Sequence, residues 1–169
     1  MTTDIKTTWD PYLKTGEALE NELLAHIRRI YPEAQRVGAH FSGWDIHVPI
    51  DVDRTLTIEL KRDHKSDDTG NLCFEYEFRG EKSGLATTQA DIWVQADPRF
   101  FYFFEVRLLK EFLRMNWKHL RHVTGGNNAM SKMVLIRKTD LTNRNFCHSL
   151  SRSGFNDHAT RLLLSFLGF

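Results

Sequence analysis

Between Phe41 and Asp63, apolar and polar residues alternate in two runs separated by a polar break. In the first run Trp44, Ile46 and Val48 alternate with Asp45 and His47. In the second, Leu56, Ile58 and Leu60 alternate with Thr57, Glu59 and Lys61. A period of two is the mark of a half-buried strand, in which side chains two apart share a face. Glu59 and Lys61 therefore point together, away from the apolar side. Folded back as a hairpin with its turn over Asp51 to Arg54, the runs set Val52 midway between Asp45 and Glu59. The two carboxylates then lie across from one another with Cβ atoms about 4.5–5.5 Å apart, near enough to share one hard cation. His47 shares the Asp45 face, where it either sits near the acidic pair or serves as the cross-strand partner of Thr57, the latter being favoured by the register.

Helical spacing precedes this hairpin. A helix is expected from Thr15 or Gly16 to Ile30, ending before Pro32, with Leu23, Leu24, Ile27, Ile30 and Tyr31 as its apolar stripe. Glu20 falls within that stripe, so its carboxylate either snorkels out, reaches a positive group or serves the helix dipole. Residues 1–15 read as an extended arm, with Trp9, Pro11 and Tyr12 available to dock on the body. After a polar turn over Lys65 to Asn71, a third strand carries Leu72, Phe74, Tyr76 and Phe78 on one face and Cys73, Glu75 and Glu77 on the other. Set beside the Glu59 strand, Glu75 or Glu77 would stand next to the acidic pair as a water-bridged ligand. As a surface acid it would instead face Arg79 or Lys82.

Asp91 to Val94 and Phe100 to Val106 follow as strands, and the aromatics of the latter are core. Leu108 to His122 reads as a second helix, with Leu109, Phe112, Leu113, Trp117 and Leu120 facing inward. Its opposite stripe carries Lys110, Arg114, Lys118 and Arg121, which is either a phosphate-tracking surface or a solvated face. Ser83 and Thr87, in a stretch of small and hydroxyl residues, suit a helix start or contact with phosphate. Met133 to Ile136 is a further strand, and residues 160–169 form an apolar helix or cap that covers the core or makes a subunit contact.

Composition narrows the class. A chain of 169 residues, 41% hydrophobic and 27% charged, reads as one domain over 1–169 with a sizeable core. Its net charge of +1 announces no acidic partner, so any nucleic-acid contact must come from local clustering of its 23 Lys and Arg. Cys73 and Cys147 lie far apart, which fits a reducing cytoplasm. The first residues carry acids and lack the apolar core of a secretory signal. No apolar run approaches the ~20 residues that span a membrane. Asp45, Glu59 and the Leu60 backbone carbonyl offer hard oxygen ligands, which select Mg²⁺, or Mn²⁺ in its place, over zinc.

Asp45, followed by Glu59 and Lys61 as D…ExK on two alternating strands after an amphipathic helix, resembles the PD-(D/E)xK nuclease superfamily. That superfamily includes type II restriction enzymes and several phage and archaeal junction resolvases. Its usual proline before the aspartate is replaced here by Trp44. Phe74 to Glu77 and Ser83 to Trp93 look like the small phage-type members, and the similarity runs from about Glu17 to Val94. The resemblance implies an α/β fold, a central mixed sheet flanked by helices with a restriction-endonuclease-like core. It implies Mg²⁺-dependent hydrolysis of DNA phosphodiester bonds by Asp45, Glu59 and Lys61, with branched or junction DNA as a substrate and a phage protein acting in the host cytoplasm as the setting. A first-helix glutamate often joins the metal site in this group, and Glu20 suits that role better than Glu17. Lys61 is then expected to orient the attacking water and stabilise developing charge, since acting as a base would need a strongly depressed pKa. Cutting two strands needs two sites, so a homodimer is expected. The alternatives are a non-catalytic DNA-binding or assembly module on the same fold, a nuclease acting on RNA, or a plain surface ion pair.

Overall fold

The computed structural model describes residues 6–38, 41, 43–126, 129–154 and 156–166, parts of the two terminal helices by backbone alone. Helix α1 (Lys6–Arg28) leads through β1 (Gln35–Arg36) into the hairpin of β2 (Ile46–Pro49) and β3 (Thr55–Arg62). The short helix α2 (Ser66–Thr69) precedes β4 (Asn71–Phe78), β5 (Glu81–Lys82) and a 3₁₀ turn at Gly84–Ala86. Then come β6 (Ile92–Ala96), β7 (Phe100–Glu105), α3 (Val106–Asn116) and a 3₁₀ turn at Trp117–His119. The chain closes with β8 (Arg121–Gly125), β9 (Ser131–Arg137), α4 (Lys138–Thr142), β10 (Cys147–Ser151) and α5 (Asp157–Phe166).

The strands form two sheets. The central one runs β1-β2-β3-β6-β7-β10 and is mixed, because β3 and β6 are parallel while its other neighbours are antiparallel. The second runs β5-β4-β9-β8, antiparallel throughout. This is the α/β class with a central mixed sheet. Strand periodicity explains how it is covered. Ile92, Val94, Phe101 and Phe103 point to one face, where α1 lays down Leu19, Leu23, Leu24 and Ile27. Trp93, Tyr102 and Phe104 point to the other, where they meet Leu72, Phe74, Val134 and Ile136 of the second sheet and Leu109 and Leu113 of α3. Strands covered on both faces read as near-continuous hydrophobic runs. Each large apolar side chain buried this way contributes about 1.5–3 kcal/mol. No described helix is long and apolar enough to cross a membrane.

Four expectations need correction. Residues 6–14 continue α1 rather than forming an extended arm; Pro11 lies near the N-terminal end of the helix, where the loss of its backbone donor interrupts the fewest turns. Residues 1–5, and the docking of Trp9, Pro11 and Tyr12, lie outside what is described. The helix expected up to His122 stops at Asn116, because the chain from Arg121 pairs with Leu135 and its neighbours as β8. β-branched Val123 and Thr124 suit that extended state. Trp117 consequently leaves the inward stripe and is 38% exposed. Finally, β4 does not lie beside the Glu59 strand: its neighbours are β5 and β9. Asp63 turns the chain there, accepting from the Cys73 N–H (2.9 Å) and from Gln95 Nε2 (3.2 Å). The tail forms α5, which packs against α1 and β10, while residues 167–169 lie outside the described part.

Candidate active site

The hairpin turn closes with the Ile50 N–H donating to Arg54 O (2.9 Å), leaving Val52 fully exposed at the tip. Ile46 pairs with Ile58 and His47 with Thr57. Carried one residue further, this register sets Asp45 opposite Glu59, as counting around Val52 expects. Asp45 is held at both sides of its backbone. Its N–H donates to Ile58 O (2.8 Å), and its carbonyl accepts from the Val37 N–H (2.9 Å). Because β2 starts only at Ile46, the flank of β3 beyond Ile58 is open, and the Asp45 carboxylate fills it by accepting the Leu60 N–H at 2.7 Å. A strand residue's N–H and C=O face the same flank, so the Leu60 carbonyl opens beside Asp45.

Glu59 and Lys61 share the face expected of them and are joined as an ion pair, with the Glu59 side chain 12% exposed. Lys61 Nζ also stands 6.0 Å from the centre of the Trp93 ring on the adjoining strand. Glu20 reaches the same neighbourhood from α1, where it accepts from Arg36 Nε at 2.7 Å. These groups feel one another. Burial raises the pKa of Glu59, and Asp45 and Glu20 raise it further, against the lowering pull of Lys61. Glu20 is raised by burial and by Asp45, against Arg36. For Lys61, burial favours the neutral amine, but Glu59, Asp45 and Glu20 together outweigh it and its pKa is raised.

Like charges gathered on a half-buried surface repel, and a divalent cation among them offsets that repulsion. Among the described residues, no three His, Cys, Asp or Glu side chains converge at metal-ligand spacing. Glu59 is turned to Lys61, Glu20 to Arg36 and Asp45 to the Leu60 N–H. The donors that fit a metal are Asp45, Glu59 and the Leu60 carbonyl, all hard oxygens. Glu20 holds Arg36 through Oε2, which leaves its Oε1 as the oxygen it could offer.

The remaining expected residues disperse. Glu75 accepts from Ser83 Oγ (2.8 Å) and Glu77 pairs with Lys132 (2.7 Å), both in the second sheet, so neither borders the acidic cluster through β3. Lys110 and Arg114 lie on α3, Lys118 on the following 3₁₀ turn and Arg121 on β8, so the basic row is not one helix face. Lys110 Nζ donates to Thr88 O (3.2 Å). Ser83 precedes the 3₁₀ turn at Gly84–Ala86, and Thr87 Oγ1 donates to Gly84 O (3.3 Å). Sequence reasoning missed Arg36, the partner of Glu20; its two-residue strand is too short to show a period. It also missed Asp97, a fully buried carboxylate that accepts from the Arg99 and Phe100 N–H groups and from Lys138 Nζ (2.7, 2.6 and 2.6 Å). Trp44, in place of the proline, packs edge-on against Phe41 with ring centres 4.5 Å apart.

No family model and no curated protein matches the chain. Among solved structures, it is similar to the bacterial homing endonuclease I-Ssp6803I, at 16% identity and a TM-score of 0.47 over 89% of this chain and 90% of that one. A likeness at that level says nothing about chemistry.

Proposed function

We propose that this chain is a metal-dependent endonuclease that hydrolyses DNA phosphodiester bonds, with Asp45, Glu59 and Lys61 as its catalytic residues. The observation that carries the reading is the gathering of the Asp45 carboxylate on the Leu60 N–H, the Glu59–Lys61 pair on β3 and the Glu20 carboxylate of α1 in one neighbourhood, where Asp45 and Glu20 add to burial in raising the pKa of Glu59. Asp45, Glu59 and the Leu60 carbonyl would hold Mg²⁺ or Mn²⁺, with Glu20 as a further ligand. Such an ion, when bound, lowers the pKa of a coordinated water and stabilises charge on the attacked phosphate. Lys61 keeps its proton, so its part is to hydrogen-bond the attacking water or a phosphate oxygen and to stabilise the negative charge that develops there. Acting as a base on water would need its pKa depressed, whereas among the protein's own groups Glu59, Asp45 and Glu20 raise it against burial. Glu59 keeps the ammonium in place by their ion pair.

Branched DNA is the substrate this reading favours, acted on in the cytoplasm by a homodimer whose two sites cut two strands. Light scattering that gives a monomer at working concentration would sink the dimer. The decisive experiment compares cleavage of linear, flapped and four-way DNA in Mg²⁺ by the wild type, Asp45→Ala and Lys61→Ala, with an RNA strand alongside. Both variants should stay folded and lose cleavage by a factor of about 10² or more; undiminished cutting in both moves the active centre elsewhere. The competing reading is a DNA-binding module without catalysis. It draws on Glu59 and Glu20 each already having a basic partner, and it requires wild-type protein that binds DNA and cuts nothing.

A further inference from the structure

A groove of about 760 Å³ lies between α3 with its 3₁₀ extension and the second sheet, floored by Phe74, Leu85, Leu113 and Val134. The acidic cluster makes no use of it. We propose that this groove binds single-stranded or locally unpaired DNA, with one unstacked base on Trp117 and the flanking phosphates on Lys82, Arg114 and Lys118. The proposal rests on the DNA-nuclease reading and narrows its substrate to DNA with an unpaired segment.

Charge is the first argument. Lys82, Arg114 and Lys118 all line the groove and are exposed, and no described carboxylate forms an ion pair with any of them. Of the groove's own acids, Glu77 is ion-paired with Lys132, while Glu75 accepts from Ser83 Oγ and keeps its charge. Lys82, Arg114 and Lys118 outnumber that one carboxylate and leave the wall net cationic, suited to a polyanion. The second argument is the aromatic. Trp117 is exposed yet firmly held. Tyr76 meets it edge-on with ring centres 4.9 Å apart and His122 at 4.5 Å, and His122 Nε2 lies 2.9 Å from the Trp117 carbonyl oxygen. A fixed, exposed indole loses little entropy when a base stacks on it, and every base has a face to offer. Bases within a duplex keep their faces stacked on each other, so only an unstacked one can lie there.

Continuity is the third argument. Leu85 and Ala86 wall the groove, and the loop they belong to runs on to Gln89, whose N–H donates to Gly43 O (3.3 Å), two residues before Asp45. Lys110 spans the same connection through Thr88 O. A strand seated in the groove is thus led along one loop toward the acidic cluster.

The test is binding of a labelled single-stranded oligonucleotide and of its duplex, by fluorescence anisotropy in EDTA over a range of salt. Wild type should prefer the single strand. Trp117→Ala should weaken single-strand binding about tenfold or more, with little effect on duplex and an unchanged salt slope, while Trp117→Phe keeps most of the affinity. Arg114→Ala and Lys118→Ala, at exposed positions that leave the fold alone, should each flatten the slope of log K against log salt by about 0.7. The proposal fails if a folded Trp117→Ala binds the single strand like wild type, or if single strand and duplex weaken alike. It also fails if the two charge variants leave the slope unchanged, or if Trp117→Ala alters the molar mass by light scattering without DNA, which would mark a protein interface. Because binding is read without divalent ion, DNA held in the groove but never cut removes the nuclease reading alone. Cleavage in Mg²⁺ together with unaltered binding by the groove variants removes the groove alone.

Discussion

Asp45 does two jobs at one atom's reach: it caps the Leu60 N–H, and it adds negative charge to a spot already holding Glu59 and Glu20. Charges of one sign kept together by packing elsewhere are stabilised by a bound cation. Mg²⁺ or Mn²⁺ at about 100 times its dissociation constant should therefore stabilise the fold by about 2.7 kcal/mol, raising the melting temperature by several degrees. Asp45→Ala should remove that rise; a calorimetric melt unmoved by either ion in the wild type would argue against a metal site. Asp97 shows the opposite electrostatic balance. Burial pushes its pKa up, but the Lys138 hydrogen bond and the Phe100 and Arg99 N–H groups outweigh it, and the pKa is lowered. A carboxyl lower in the folded state than in the unfolded chain contributes stability that is complete above about pH 4 and lost as pH falls through the folded value. Asp97→Asn should cost about 1.5–3 kcal/mol at neutral pH, since it removes the charge from an acceptor that Lys138 and the Arg99 and Phe100 N–H groups share. It should also flatten the acid limb of the melting temperature plotted against pH.

At the scale of elements, the β2–β3 hairpin sets the site by its register. Val52 touches nothing, so Val52→Ala should change stability by less than about 0.5 kcal/mol. Deleting Val52 is a different perturbation. A one-residue slip in an antiparallel pair sends each side chain of the slipped strand to the other face. Asp45 would no longer face Glu59, unless the shortened loop strains to keep the register. The expected outcome is a markedly destabilised protein, because the buried Ile46 and Val48 would turn outward as Asp45 turns away, and one without the metal-induced rise in melting temperature; wild-type stability and an intact rise would show that the pairing does not depend on loop length. Helix α3 makes a related point. Its buried residues, Leu109 and Leu113, obey the helical period, yet the period does not say where the helix ends. Pairing of Arg121 to Gly125 with β9 decides that, and it moves Trp117 from core to surface.

Across the whole molecule, the two sheets are joined by a small buried polar network. Gln95 Nε2 donates to Cys73 O (2.7 Å) and to Asp63 Oδ2 (3.2 Å), while its Oε1 accepts from Trp93 Nε1 (2.7 Å). Replacing Gln95 with Leu strands the Trp93 donor and the Cys73 carbonyl together. The cost should be about 2–6 kcal/mol, at 1–3 kcal/mol for each of the two buried groups left unsatisfied, read by chemical denaturation. A cost below 1 kcal/mol would mean water replaces the amide. Farther out, Arg152 donates from Nε to Glu22 (2.7 Å) and from Nη1 to Asp97 O (3.0 Å), tying the end of β10 to α1.

Counting residues was enough to find the alternation of β2 and β3, the turn between them, the pairing of His47 with Thr57 and the shared face of Glu59 and Lys61. These depend on neighbours two apart and on one short loop, so the chain's local order carries them. The burial of Phe101 to Phe104 and the inward stripe of α1 were readable for the same reason. Which sheet β4 enters, where α3 stops, and which cation meets Glu20 were not readable, because each depends on a partner distant in sequence. Phe74 on β4 is apolar whichever sheet receives it, and only its packing with Phe104 and Val134 makes the choice. Glu20 sits at the right place on α1 for a ligand and equally for an ion pair; the fold brings Arg36 to it. Local spacing determined the face that each acid occupies, and long-range packing decided what stands opposite.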